Sequence, residues 1–143
     1  MIYFQTEDIA FVLKNKTLLK KWITGVIEKK KRKTGDINFI FCSDSYLLNI
    51  NQNYLKHDTY TDIITFDYSK GQTEHPISGD IFISVERVKE NAKKYAEPFE
   101  TEMHRIIIHG VLHLLGHTDK NKLAKEEMTN AENSCLKLLE KSK

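Results

Sequence analysis

From Phe99 to Leu115 the chain carries Met103, Ile106, Ile107, Ile108, Val111, Leu112, Leu114 and Leu115, an array that is apolar on nearly every side of a helix. A helix on the surface of a domain shows an apolar stripe and a polar face, so one without a polar face must be central and covered all round. The fold has to be built about this segment. No apolar run reaches the ~20 residues that span a bilayer, so a protein core is the place for it. The 143 residues suffice for one domain with a genuine core, and we read 1–143 as a single domain.

The flanking segments supply what covers it. Ile2 to Gln5 reads as a short strand, and Lys16 to Lys33 as an amphipathic helix with Leu18, Leu19, Trp22, Ile23, Val26 and Ile27 on one face. The β-forming run from Asp36 to Cys42 follows a glycine and reads as a strand. Ser43 and Asp44 offer N-cap oxygens to a helix carrying Tyr46, Leu47, Leu48, Ile50 and Tyr54. Asp62 to Phe66 and Gly79 to Ser84 are two further strands, joined by a polar connection containing Gly71 and Pro76 that reads as mobile. Ser84 caps a helix from Val85 to about Ala96, and Pro98 separates it from the central one. A last helix from Lys122 to Leu139 places Leu123, Met128, Ala131, Cys135, Leu136 and Leu139 at helical spacing, with Met128 as core packing. The expectation is an α+β fold with α/β-type layers: a single small mixed sheet of about four strands, packed with about five helices.

Composition adds little. Hydrophobic residues make up 40% and charged residues 29%, ordinary values for a globular protein. The N-terminus turns acidic at Glu7 and Asp8 and lacks a basic region and cleavage site, so the expected location is cytoplasmic. Cys42 and Cys135 lie far apart, outside any C-x-x-C pair, and are expected to be reduced, buried thiols. A net charge of +2 does not by itself imply a polyanionic partner. The block Lys29-Lys30-Lys31-Arg32-Lys33 has two readings: it can approach phosphates, or it complements the dipole at a helix end that Gly35 then stops. His75 is read as solvated and His104 as structural.

The central helix is interrupted by chemistry. His109 and His113, at i and i+4, fall on one helix face and can direct both imidazoles at one ion. Gly116 can end the helix in a left-handed conformation and bring Asp119 or His117 to a third position. Three protein ligands and an open position are the arrangement of a catalytic zinc. The residue after His109 is Gly110, where the zinc proteases of signature H-E-x-x-H carry their general base. The ligand scaffold is that of a metal hydrolase; the base for peptide hydrolysis is missing. A metal centre suits phosphodiester cleavage, whose anionic transition state gains from a nearby cation.

The run from His109 to Asp119 resembles the H-G-x-L-H-L-x-G-x-D-H signature of the YbeY family of bacterial ribosomal-RNA maturation endoribonucleases. Asn51-Gln52-Asn53-Tyr54, Asp58 and Thr61-Asp62-Ile63-Ile64-Thr65-Phe66 are similar to its N-x-x-Y…D-x-x-T-D-V-L-S-F segment, and Gly79-Asp80-Ile81-Phe82-Ile83 to its G-D-I-x-I strand. The resemblance runs from about Phe39 to Leu139. It implies a single-strand-specific, zinc-dependent endoribonuclease of ribosomal RNA maturation, including small-subunit rRNA 3′-end processing, and of ribosome quality control. It also implies one zinc ion, with single-stranded or ribosomal RNA as substrate and ribosomal proteins or an assembly GTPase as partners.

Residue by residue, the metal ligands it implies are His109, His113 and Asp119. Asp119 stands at the offset where the family has histidine, and His117 is the alternative that needs a tighter return of the chain. Leu55 replaces an arginine of the family, and Lys56 and His57 next to it either supply charge to the substrate or are solvated surface residues. Thr61 and Asp62 either face the cleft or cap a turn. Glu102, about two turns before His109, either orients a histidine or pairs with Arg105 or Arg87. Two other functions stay open: a non-catalytic ribosome-assembly factor with a structural metal, and a zincin-like amide hydrolase, against which Gly110 argues.

Overall fold

The computed structural model describes residues 1–55, 61–69 and 74–143. At its centre β2 (Thr34–Cys42) pairs in parallel with β1 (Ile2–Thr6) on one side and β4 (Ile77–Ser84) on the other. The sheet closes with β3 (Ile63–Asp67), antiparallel to β4, in the order β1-β2-β4-β3. A strand with two neighbours and two covered faces needs side chains that tolerate burial on both, which is why β2 reads almost continuously apolar. Ile37, Phe39 and Phe41 of β2 and Ile77, Ile81 and Ile83 of β4 enter the main core. Cys42 and Ile64 turn to the other face with Phe66 and Phe82.

The main core is closed by α1 (Lys16–Lys29), α3 (Val85–Lys94), α4 (Phe99–Leu114) and α5 (Lys122–Ser142). Among the described residues, α2 (Asp44–Tyr54) is the helix that packs on the second face, through Leu47 and Ile50. The fold is therefore the expected α+β arrangement of one mixed four-stranded sheet and five helices. Helix α4 is its centre: Met103, Ile107, Ile108, Val111 and Leu112 are fully or almost fully buried. The Trp22 indole N–H donates to the Cys135 carbonyl at 2.8 Å and pins α1 to α5. The serine caps form as expected, Ser43 Oγ accepting from Tyr46 N–H and Ser84 Oγ from Arg87 N–H.

One boundary differs in an informative way. Helix α1 ends at Lys29 and not at Lys33, and the residue that takes the left-handed conformation is Lys31, with φ 59°. Gly35 is not the stop; it lies inside β2, where a Cβ would stand 2.7 Å from the Ile77 carbonyl oxygen. Strand pairing decided this, because Thr34 is already in register with Ile77 and needs extended backbone. Both cysteines are free and buried. Burial, with Asp8, Asp44 and Glu7 nearby, pushes the Cys42 thiol up to about 12. That thiol is inert at neutral pH.

His104 is buried in α4, its ring 6.3 Å from that of Trp22, and its Nε2 has no hydrogen-bond partner among the described residues. Burial pulls its pKa below 6.5, the nearby Glu100 and Glu140 opposing and Lys143 assisting. A base with a depressed folded pKa contributes full stability above its unfolded pKa and loses it as pH falls towards the folded value. Wild type should therefore lose stability from about pH 6.5 downward more steeply than His104→Phe, as read from urea midpoints at successive pH values. Parallel pH profiles for the two proteins would remove His104 as the cause.

Candidate active site

His109 lies on α4, and its surroundings are built by three other elements. Its Nδ1 is 2.6 Å from Glu132 Oε2 on α5, and Glu132 is held in turn by Arg105 Nη1 at 3.1 Å. The Glu132 side chain is only 9% exposed. A carboxylate on Nδ1 fixes the ring's tautomer and orientation and leaves Nε2 as the nitrogen for a ligand. Asp62, just before β3, is fixed between elements: its carboxylate accepts from Asn91 Nδ2 of α3 at 3.1 Å, and its carbonyl from Ser84 N–H at 3.0 Å.

The electrostatics are those of an acidic cleft. Burial pulls the His109 pKa down, but the Glu132 hydrogen bond and the charges of Glu132, Asp62 and Asp119 outweigh it, and the net direction is up. Glu102 is buried, and desolvation with the charges of Asp62, Glu132 and Glu97 raises its pKa against the pull of Arg105. Three carboxylates, those of Glu132, Asp62 and Asp119, thus act on one imidazole. Such a cleft favours cations and repels phosphate.

Helix α4 ends as its sequence suggests. Gly116 adopts φ 105°, its N–H donates to the His113 carbonyl at 3.1 Å, and the His117 N–H donates to the Leu112 carbonyl at 3.0 Å. This paired closure satisfies the last carbonyls of the helix and turns the chain back. His113 is exposed one turn beyond His109, Asp119 is exposed beyond the turn, and His117 is half-buried. Burial and the Lys30 charge lower the His117 pKa, with Glu127 opposing. His117 therefore lies in the field of α1, whereas Asp119 is one of the charges felt by His109. Among the described residues, no three His, Cys, Asp or Glu side chains come together as a group that could hold a metal ion.

Several expected roles change. The carboxylate on His109 belongs to Glu132 and not to Glu102, because Glu132 reaches the ring across the α4–α5 contact while Glu102 lies on the same helix as the histidine. Arg105 pairs with Glu132, and Arg87 with Asp44 at 3.0 Å and Glu90 at 3.6 Å. The Thr61 hydroxyl donates to the Ile63 carbonyl at 3.3 Å, a local turn contact. Asp62 stands at the cleft, where its charge suits a cation better than RNA. Lys56 and His57 lie outside the described residues. Leu55 caps α2 and is partly exposed.

Glu132 was legible in principle, since it falls on the stripe of Met128, Cys135 and Leu139 that buries α5. A lone acid in an apolar stripe needs a partner. The other missed residue, Asn91, carries no such signal.

Residues 2–140 match the family model described as endoribonuclease YbeY. The chain belongs to the YbeY family. An endoribonuclease YbeY from Flavobacterium psychrophilum is 49% identical over 138 residues, covering 96% of each chain. One from Parabacteroides distasonis is 46% identical, covering 96% of this chain and 95% of its own. Among solved structures, the solution structure of TM1509 from Thermotoga maritima matches with a TM-score of 0.65 at 26% identity, covering 97% of this chain and 89% of that one. Membership of the YbeY family puts the chain among phosphodiester-cleaving hydrolases. Among the described residues no helix is long and apolar enough to cross a membrane.

Proposed function

We propose that the protein is a single-strand-specific, zinc-dependent endoribonuclease acting in ribosomal RNA maturation and ribosome quality control. The observation that carries the metal part of this reading is the 2.6 Å contact of His109 Nδ1 with Glu132. A buried acid that anchors one ring nitrogen is the usual support for a histidine whose other nitrogen binds a metal. The acidic surroundings argue the same way, because phosphates would be repelled from this cleft unless a cation neutralised it. His109, His113 and Asp119 fit zinc by donor type, and holding it requires the exposed Asp119 to close on the two histidines.

When bound, zinc would supply Lewis acidity and a lowered pKa for water. The chain's own residues have separate tasks: Glu132 and Arg105 position His109, Asp62 and Asn91 brace the edge of the cleft, and Gly116 sets the return of the chain. RNA would enter unpaired, as the family resemblance implies. Ribosomal proteins or an assembly GTPase would be the protein partners.

Metal analysis of the protein as isolated tests the ligand set. Asp119→Ala is expected to lose the ion and His117→Ala to keep it; the reverse would overturn the assignment. Nuclease-free, zinc-loaded wild type should cleave single-stranded RNA, and His113→Ala should cut it ~10²-fold more slowly or worse, a loss typical of removing one stabilising contact to the transition state. Equal rates would end the enzyme reading. Leu55, in place of a charged side chain, favours a second reading, a ribosome-assembly factor braced by a structural metal. Undiminished RNA affinity with a much lower melting point after metal removal would support that one.

A further inference from the structure

We propose that Lys29, Lys30, Lys31 and Lys33 form a docking surface for the sugar-phosphate backbone of single-stranded RNA, leading from the end of α1 to the candidate site on α4. The inference rests on the RNA-cleaving function proposed above and names where that substrate is held. All four side chains are exposed, and none makes a salt bridge with another described residue. The helix dipole accounts for Lys29 in the last turn and Lys30 at the cap, and its effect fades within that turn. Lys31 and Lys33 lie beyond its reach.

The backbone here is fastened, so the like charges are held together. Lys31 N–H donates to the Glu28 carbonyl at 2.8 Å, Arg32 Nη2 to the His75 carbonyl at 3.2 Å, and Ile77 N–H to the Lys33 carbonyl at 2.9 Å. Mutual repulsion among ammonium groups so close along a fastened backbone is relieved by a polyanion that spans them.

The location joins the block to the candidate site. Lys33 is bonded to the first residue of β4, and two residues on, Gly79 stands against the Leu114 side chain at the last position of α4. A Cβ on Gly79 would come within 3.1 Å of that side chain, so the two elements meet closely at this end of the sheet. The turn after α4 carries His117, whose ring lies in the field of Lys30. His113 is one helical turn back. The charges acting on His109 are those of Glu132, Asp62 and Asp119, so attraction for a polyanion has to be supplied from beside the histidine, and the lysine block is placed to do so.

The test is fluorescence anisotropy with the full chain and an unstructured oligouridylate, titrated over a range of salt concentrations. Wild type is compared with the combined variant Lys29→Gln, Lys30→Gln, Lys31→Gln and Lys33→Gln, and with Lys20→Gln/Lys21→Gln as a control of equal kind on the exposed part of α1. For single strands each phosphate contact contributes about 0.7 to the slope of log affinity against log salt, so the four-lysine variant should show a slope shallower by roughly 2 to 3. Its affinity at low salt should fall at least tenfold, while the control keeps the wild-type slope.

An unchanged slope in the four-lysine variant, with wild type still binding, overturns the docking surface and leaves the endoribonuclease reading standing. An equal loss in the control overturns it too, since net charge alone would then be responsible. Wild type that binds no single-stranded RNA sinks both. Tight binding of the block to anionic phosphatidylserine vesicles, without any effect of the four substitutions on RNA, identifies a membrane as the partner and overturns the proposal.

Discussion

Glu132→Ala is expected to lower metal affinity and RNA cleavage by about 10- to 100-fold, the usual cost of removing a group that orients a metal-binding histidine. It should also destabilise the fold by roughly 1–3 kcal/mol, because Arg105 and His109 Nδ1 lose a partner in a largely buried place. Arg105 keeps one compensation, Asn133 Oδ1 at 2.9 Å, which limits the loss. Glu132→Gln separates the two effects: an amide can still accept from Nδ1–H, but it removes the charge that raises the His109 pKa.

The sign for metal-free protein follows from the raised pKa. A histidine whose folded pKa exceeds its unfolded value of 6.5 contributes stability that is complete below 6.5 and is lost as pH rises through the folded value. Glu132→Gln should flatten that part of the pH profile and move the His109 imidazole resonance to a lower titration midpoint. A variant with unaltered titration and full activity would show that Glu132 is only packing.

Gly110→Glu is expected to prevent folding, although it writes the zinc-protease signature into the chain. A Cβ at Gly110 would already stand 2.9 Å from Ile81 Cγ2, 3.0 Å from Ile81 Cδ1 and 3.2 Å from Ile63 Cδ1. Position 110 thus faces the sheet and not the cleft. A glutamate there adds overpacking to a carboxylate buried among isoleucines, and the sum exceeds about 4 kcal/mol, a large share of a domain's total stability. Gly110→Ala should be much milder, about 1 kcal/mol, since strain on Ile81 is partly offset by the better helix propensity of alanine. Circular dichroism and urea midpoints read both. A folded Gly110→Glu protein with peptidase activity would defeat the account.

Much of the fold was readable because each element carries a strong local pattern. The all-round apolar helix, the β-branched runs of β2 and β4, and the serines before α2 and α3 all formed where expected. The errors lie where a partner strand sets the local structure. The end of α1 moved from Lys33 to Lys29 because β4 needed Thr34 in an extended backbone, a constraint from residues more than forty positions away. The site divides in the same manner: the i, i+4 histidines and the Gly116 closure are local geometry, while the carboxylate on His109 comes from another helix.

The sequence by itself determined that a buried helix would carry two histidines on one face and end in a left-handed glycine, since periodicity and steric freedom are properties of a few neighbouring residues. Only the tertiary structure decided that Glu132 and not Glu102 holds His109, that Gly110 is filled by the sheet, and that the lysine block lies beside the end of α4. Each of these depends on which residues distant in the chain are brought within a few ångströms. That is settled by packing, and no local pattern contains it.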